Sequence, residues 1–172
     1  MAEADAAAAV ALLALPHLDA AFNLARWLVR DGALAEDVVQ DALVRALTYA
    51  PSFRGENPRA WLLQIVRTVA YDTLAARPRR RESPLDDGMA SELVDPGDDP
   101  EMALARNEAH ATLAAAPGAL PADLREVIVL RELEEMSYRD IARVVQVPIG
   151  TVMSRLWRAR QALMQTAGRG QA

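Results

Sequence analysis

The chain has 172 residues, 52% of them apolar, a formal net charge of −5 and no cysteine. That length allows one or two small domains with real cores, and the missing thiols exclude disulfides and thiolate metal sites. The two imidazoles, His17 and His110, stand far apart, so neither a metal site nor a cofactor is expected.

The first apolar run, Ala6–Leu15, follows Glu3 and Asp5 and stops at Pro16. A signal peptide starts with positive charge, and a membrane span needs about 20 apolar residues. Neither pattern is met, so the expectation is a cytoplasmic chain without membrane insertion. From there on the apolar spacing is helical, and no segment alternates as a strand does. Leu18, Ala21, Phe22, Ala25 and Leu28 form one stripe, closed by the turn pair Asp31-Gly32. Val38, Val39, Ala42, Ala46 and Leu47 form a second, ending before Pro51. A third helix is predicted from Pro58 to about Ala76, capped by Asn57 and burying Leu62, Ile65, Val66 and Val69.

The next stretch, RPRRRESPLDDGMASELVDPGDDPE, has linker composition, with four prolines and few large apolar residues. It divides the chain into two all-α domains, residues 11–76 and 102–168, joined by an acidic linker at 77–101. Residues 82–101 carry eight acids and no base; without them the net charge of −5 becomes +3. From Ser137 onward six arginines face one acid, Asp140. The distribution of charge is therefore more informative than its sum. The second domain is predicted to begin with a helix near 102–115, broken by Pro117-Gly118, and to continue with one from Pro121 to Leu133.

Ser137-Tyr138-Arg139-Asp140 fits a capping box, and Met136 and Ile141 sit where a hydrophobic staple would. A helix from Tyr138 buries Ile141, Ala142 and Val145, and Pro148 starts another. On that last helix Val152, Leu156, Ala159 and Leu163 form the core stripe, which places Thr151, Ser154, Arg155 and Arg158 outward. This is the pattern of a helix-turn-helix: arginines grip guanine edges or phosphates, and small hydroxyl residues let a helix approach the groove. A plain solvated arginine face is the competing reading. Gln146 stands where such a turn wants a left-handed residue, at a cost of about 1–2 kcal/mol.

The segment LPADLREVIVLRELEEMSYRDIARVVQVPIGTVMSRLWRARQAL resembles region 4 of bacterial extracytoplasmic-function sigma factors, members of the sigma-70 family. AEDVVQDALVRAL resembles their region 2.2, and FRGENPRAWLLQIVRTVAYDTL their regions 2.3 and 2.4. The resemblance implies a non-enzymatic factor that binds core RNA polymerase, directs it to promoter DNA and aids melting. It also implies an anti-sigma factor as a further partner.

Residue by residue, the resemblance implies that Asp37, Gln40, Asp41 and Arg45, one polar stripe on the second helix, dock on polymerase. Phe53 and Asn57 flank a loop that captures an extruded −10 base; core packing and helix capping are their alternative roles. Thr68 and Asp72 face the −10 element, with threonine where asparagine is common. Arg77, Arg79, Arg80 and Arg81 follow, suited to phosphates or simply to a helix C-terminus. Thr151, Ser154, Arg155 and Arg158 map to the helix that enters the −35 major groove, and Met153 stands where a basic residue is frequent. Glu135 stands where glycine is often found. Two rival functions remain open: a sigma-like decoy that sequesters an anti-sigma factor, and a dimeric helix-turn-helix repressor.

The acidic linker cannot itself favour DNA; it runs through a basic polymerase channel or covers the arginine faces of the free chain. The second role predicts tighter DNA binding by free protein once the acids of 82–101 are neutralised. An unchanged affinity in a fluorescence-anisotropy titration refutes that role.

Overall fold

The computed structural model describes residues 1–77 and 120–169, and every regular element among them is helical. The expected helix at 102–115, most of the linker, and Arg79, Arg80 and Arg81 lie outside the described residues. In chain order the front half holds α1 (Ala2–Ala14), a 3-10 turn (Leu15–His17), α2 (Leu18–Val29), α3 (Gly32–Tyr49), a second 3-10 turn (Ala50–Ser52) and α4 (Pro58–Ala76). The rear half holds α5 (Ala122–Ile128), a π-helical turn (Val129–Leu133), α6 (Tyr138–Val145) and α7 (Ile149–Arg169).

The helix boundaries follow local chemistry. Arg30 takes the left-handed conformation (φ 58°) and its N–H donates to the Arg26 carbonyl at 2.8 Å, which ends α2. Asp31 then caps α3, accepting from the Leu34 N–H at 3.1 Å. Asn57 caps α4 in the same manner through Ala60, with Pro58 in the first turn where its missing N–H costs nothing. Ser137 caps α6, accepting from the Asp140 N–H at 3.1 Å, the forward half of the expected box. Gln146 is left-handed at φ 58°, as its position in the turn demands, and its side-chain amide donates to the Arg143 carbonyl at 2.7 Å. Glu135, at φ 54°, is left-handed too, which explains why glycine suits that position.

Two departures from the sequence reading stand out. The chain does not break at Pro16: a 3-10 turn carries it into α2, so Ala2–Val29 is a helical stretch long and apolar enough to cross a membrane by length and composition alone. Its second half is nevertheless a core helix, with Ala21, Leu24 and Ala25 fully buried. Leu47, expected inside, is 45% exposed, because α3 turns only the Leu34, Ala35, Val38, Ala42 and Ala46 face toward α2 and α4.

Helices α2, α3 and α4 pack on one another around Leu24, Val38, Leu62, Leu63 and Val66. In the rear half, α5 and α6 pack against α7 through Val127, Ile128, Ile141, Val144, Val152 and Leu156. The π turn widens the helix by one residue and keeps Val129, Leu130 and Leu133 all buried. The halves are not separate beads: α4 lies on α6, α2 lies on α5, and their cores are continuous.

The turn strain gives a direct test. Gln146→Gly is expected to raise the unfolding free energy by up to about 1 kcal/mol, and Gln146→Val to lower it by at least that much. Urea unfolding of the full chain measures both.

Candidate nucleic-acid interface

On α3 the side chains of Asp37, Gln40 and Asp41 are exposed along one face, as the spacing predicts. Arg45 continues the stripe but is paired: its guanidinium lies 3.1 Å from the Asp72 carboxylate on α4. Both partners are largely solvated, so the pair contributes at most about 1 kcal/mol. It nonetheless joins a residue of the expected polymerase stripe to one of the expected −10 face.

The loop before α4 is built around Gly55, whose φ of 80° only glycine adopts without strain. Phe53 is half-buried, its ring 4.8 Å from that of Trp61 at an interplanar angle of 43°. The side-chain oxygen of Asn57 is committed to the α4 cap, which leaves its amide nitrogen for any other contact. Thr68 and Asp72 are exposed one turn apart on α4, and the Thr68 hydroxyl donates to the Gln64 carbonyl at 3.0 Å.

On α7, Ser154 and Arg158 point outward and Thr151 is half-buried. Arg155 departs from the expected outward placement. It follows Val152 by three residues and precedes Ala159 by four, so it borders the buried stripe; its side chain is only 19% exposed. There it leans toward Glu126, with 3.9 Å between Nη1 and Oε1. The outward face also carries two large apolar side chains, Met153 and Trp157, which are 52% and 63% exposed. Reading the helix for polar groups alone misses them.

Glu126 is the other residue that the sequence pattern hides. Its side chain has no exposed surface. Arg67 of α4 clasps it with two nitrogens, Nε to Oε2 at 2.7 Å and Nη2 to Oε1 at 3.1 Å. The Arg67 guanidinium also lies 4.8 Å from the Tyr71 ring centroid. Burial opposes the charge on Arg67, but the Glu126 carboxylate outweighs it and raises the guanidinium pKa. Burial and then the same carboxylate push the Tyr71 phenol up. Elsewhere along the junction, Glu134 accepts from Asn23 at 2.7 Å and from Arg59 at 2.9 Å, and Arg59 also donates to the Glu134 carbonyl. Arg125 reaches the Trp27 carbonyl and the Leu120 carbonyl, each at 3.0 Å. The visible sequence signal for Glu126 was an acid inside LREVIVL, a run otherwise buried on every side.

Among the described residues no cluster of histidine and carboxylate side chains is arranged to hold a metal ion. What the surfaces present is a helix-turn-helix with a mixed arginine, hydroxyl and apolar outer face, and a three-helix body with a polar stripe and an aromatic loop.

Comparison with known proteins agrees with that division. Residues 13–80 match the family described as Sigma-70 region 2, and residues 111–163 match Sigma-70, region 4. The chain belongs to the sigma-70 family. The RNA polymerase sigma-H factor of Pseudomonas aeruginosa is 38% identical over 162 residues, 88% of this chain and 82% of that protein. The ECF RNA polymerase sigma-E factor of Escherichia coli K12 is 37% identical over 134 residues, 74% and 70% of the two chains. Among solved structures, the sigma factor RpoE bound to the anti-sigma factor NepR from Bartonella quintana aligns over 90% of this chain and 94% of its own, with TM-score 0.65 and 29% identity. CnrH bound to the cytosolic domain of CnrY aligns over 97% and 95%, with TM-score 0.67 and 28% identity. This chain is thus a sigma factor of the ECF type, and α6 and α7 are the helix-turn-helix of its region 4.

Because Glu126 is buried, removing one partner of its pair leaves an uncompensated charge. Glu126→Ala is expected to cost about 3 kcal/mol in urea unfolding, whereas the double change Arg67→Met with Glu126→Leu costs less than the single one.

Proposed function

We propose that this sigma factor binds core RNA polymerase through the α3 stripe and carries it to promoters whose −10 and −35 elements are read by α4 with its preceding loop and by α7. The observation that supports this most is the pairing of two distinct surfaces on one chain: an exposed polar stripe on region 2 and a groove-sized outward face on region 4. Asp37, Gln40 and Asp41 supply registry and association rate at the polymerase contact more than raw affinity. Phe53 offers a ring face for an extruded base, held at the right tilt by Trp61, and Thr68 and Asp72 line the adjoining helix. Ser154 and Arg158 meet base edges and phosphates upstream, with Thr151 at the margin. Arg79 and Arg80 add phosphate contacts beyond α4, so promoter affinity falls steeply with salt. The factor acts in the cytoplasm and performs no catalysis of its own.

The packed halves bear on how the two contacts are made. Elements some 25 base pairs apart are separated by roughly 85 Å at about 3.4 Å per pair. A compact body of this size is only about 35–40 Å across. Regions 2 and 4 therefore part at the Arg67–Glu126 junction when both elements are engaged, and the first contact raises the effective concentration of the second. An anti-sigma factor that grips the packed form would oppose this step; the two aligned complexes with anti-sigma factors support such a partner.

The decoy reading has less support: Asp37, Gln40 and Asp41 on α3 and Ser154 and Arg158 on α7 are all exposed for contact. Run-off transcription with purified core polymerase separates the two: a promoter-directing factor yields a discrete transcript and a decoy yields none. Arg158→Ala is expected to cut transcription roughly 5- to 150-fold, the worth of one good bidentate contact at about 1–3 kcal/mol, while leaving polymerase binding intact.

A further inference from the structure

We propose that Trp157 and Met153 read thymine through its 5-methyl group when α7 lies in the upstream major groove. This rests on the reading of α7 as the recognition helix and extends it to residues whose chemistry differs from the arginines and hydroxyls beside them.

The placement comes first. Trp157 follows Ser154 by three residues and adjoins Arg158, so these three side chains share the face opposite the buried stripe of Val152, Leu156 and Ala159. Met153 precedes Trp157 by four residues, which stacks the two along one edge of that face. Both are mostly exposed, at 52% and 63%, in the second and third turns of α7. A recognition helix meets base edges with its N-terminal residues; Met153 lies next to them and Trp157 one turn further on. An indole and a thioether beside Ser154 and Arg158 make a small apolar strip within an otherwise polar face.

The groove narrows the choice of that surface. Guanine, cytosine and adenine present only donors and acceptors to the major groove, and apolar side chains pressed on them leave those groups unpaired. Thymine alone presents a methyl group there. Arg158 and Ser154 satisfy the polar edges on one side of the face, and the Trp157–Met153 edge fits one or two thymines beside them. Arg155, held near Glu126 at the opposite margin, does not compete for this edge.

The test uses the full chain with core polymerase. Upstream elements are selected from random DNA, and each selected thymine on either strand is then replaced singly by deoxyuridine, which removes only the methyl group. At one or two positions the wild-type holoenzyme is expected to lose about fourfold in affinity, the worth of one buried methyl. Trp157→Ala or Met153→Ala, verified as folded by thermal unfolding, should then bind thymine and deoxyuridine at that position equally. Indifference of the wild type to every deoxyuridine overturns the proposal, as does an undiminished methyl effect in both variants. Loss of polymerase binding by Trp157→Ala in the absence of DNA also overturns it and assigns the strip to a protein contact. If no upstream element is selected at all, it is the reading of α7 as recognition helix that fails.

Discussion

One buried carboxylate organises the relation between the two halves of this sigma factor. Glu126 sits with no exposed surface between Arg67 of region 2 and Arg155 of region 4. A charge so placed is tolerated only while its partners hold it. The bidentate clasp of Arg67 therefore does more than add a hydrogen bond; it lets the Glu126 carboxylate be buried where α5 meets the front half without leaving a lone charge in the core. Tyr71, under the Arg67 guanidinium, closes the cluster on the side of α4. The other contacts across the junction, Arg59 and Asn23 on Glu134 and Arg125 on the Trp27 carbonyl, are peripheral to this one and more accessible to water.

The same carboxylate also reaches the DNA-facing helix. Arg155 lies by helical spacing at one margin of the buried stripe, where Glu126 holds its guanidinium; Ser154 and Arg158 remain outward, and Met153 and Trp157 line the opposite edge. One arginine of the recognition helix is thus held from beneath, by a residue that never approaches the surface. A helix that reads as arginine-rich in sequence emerges with one guanidinium turned inward and an aromatic ring in the open.

Much of the architecture was legible from the amino-acid sequence, for physical reasons. Caps declare themselves locally: Asn57 and Ser137 need only the next turn of backbone to act, so their roles survive any tertiary context. Gln146 was readable for the same reason, since a turn of fixed length demands one left-handed residue. The α3 stripe followed from spacing alone. What could not be read was anything fixed by contact between distant segments. Leu47 fits an apolar stripe, yet α3 had no further neighbour to cover it. Arg155 fits an outward stripe, yet a carboxylate nearly thirty residues earlier holds it. The pairing of Glu126 has no local sequence signal because its partner lies 59 residues upstream. Helical periodicity reports which way a side chain leaves the helix, not what waits there.

The most buried link between the halves is a fork rather than a point. Arg67 spends two nitrogens on the Glu126 carboxylate, whereas Arg59 reaches Glu134 through a single nitrogen and Arg125 crosses to the Trp27 carbonyl. A planar guanidinium so engaged has no room to swivel: a small rotation of one half against the other breaks paired bonds together. Lysine, a single mobile point charge, would let the surfaces slide, and this chain contains none. Rotation of one half against the other is accordingly resisted most at this one clasp, where both bonds must yield together.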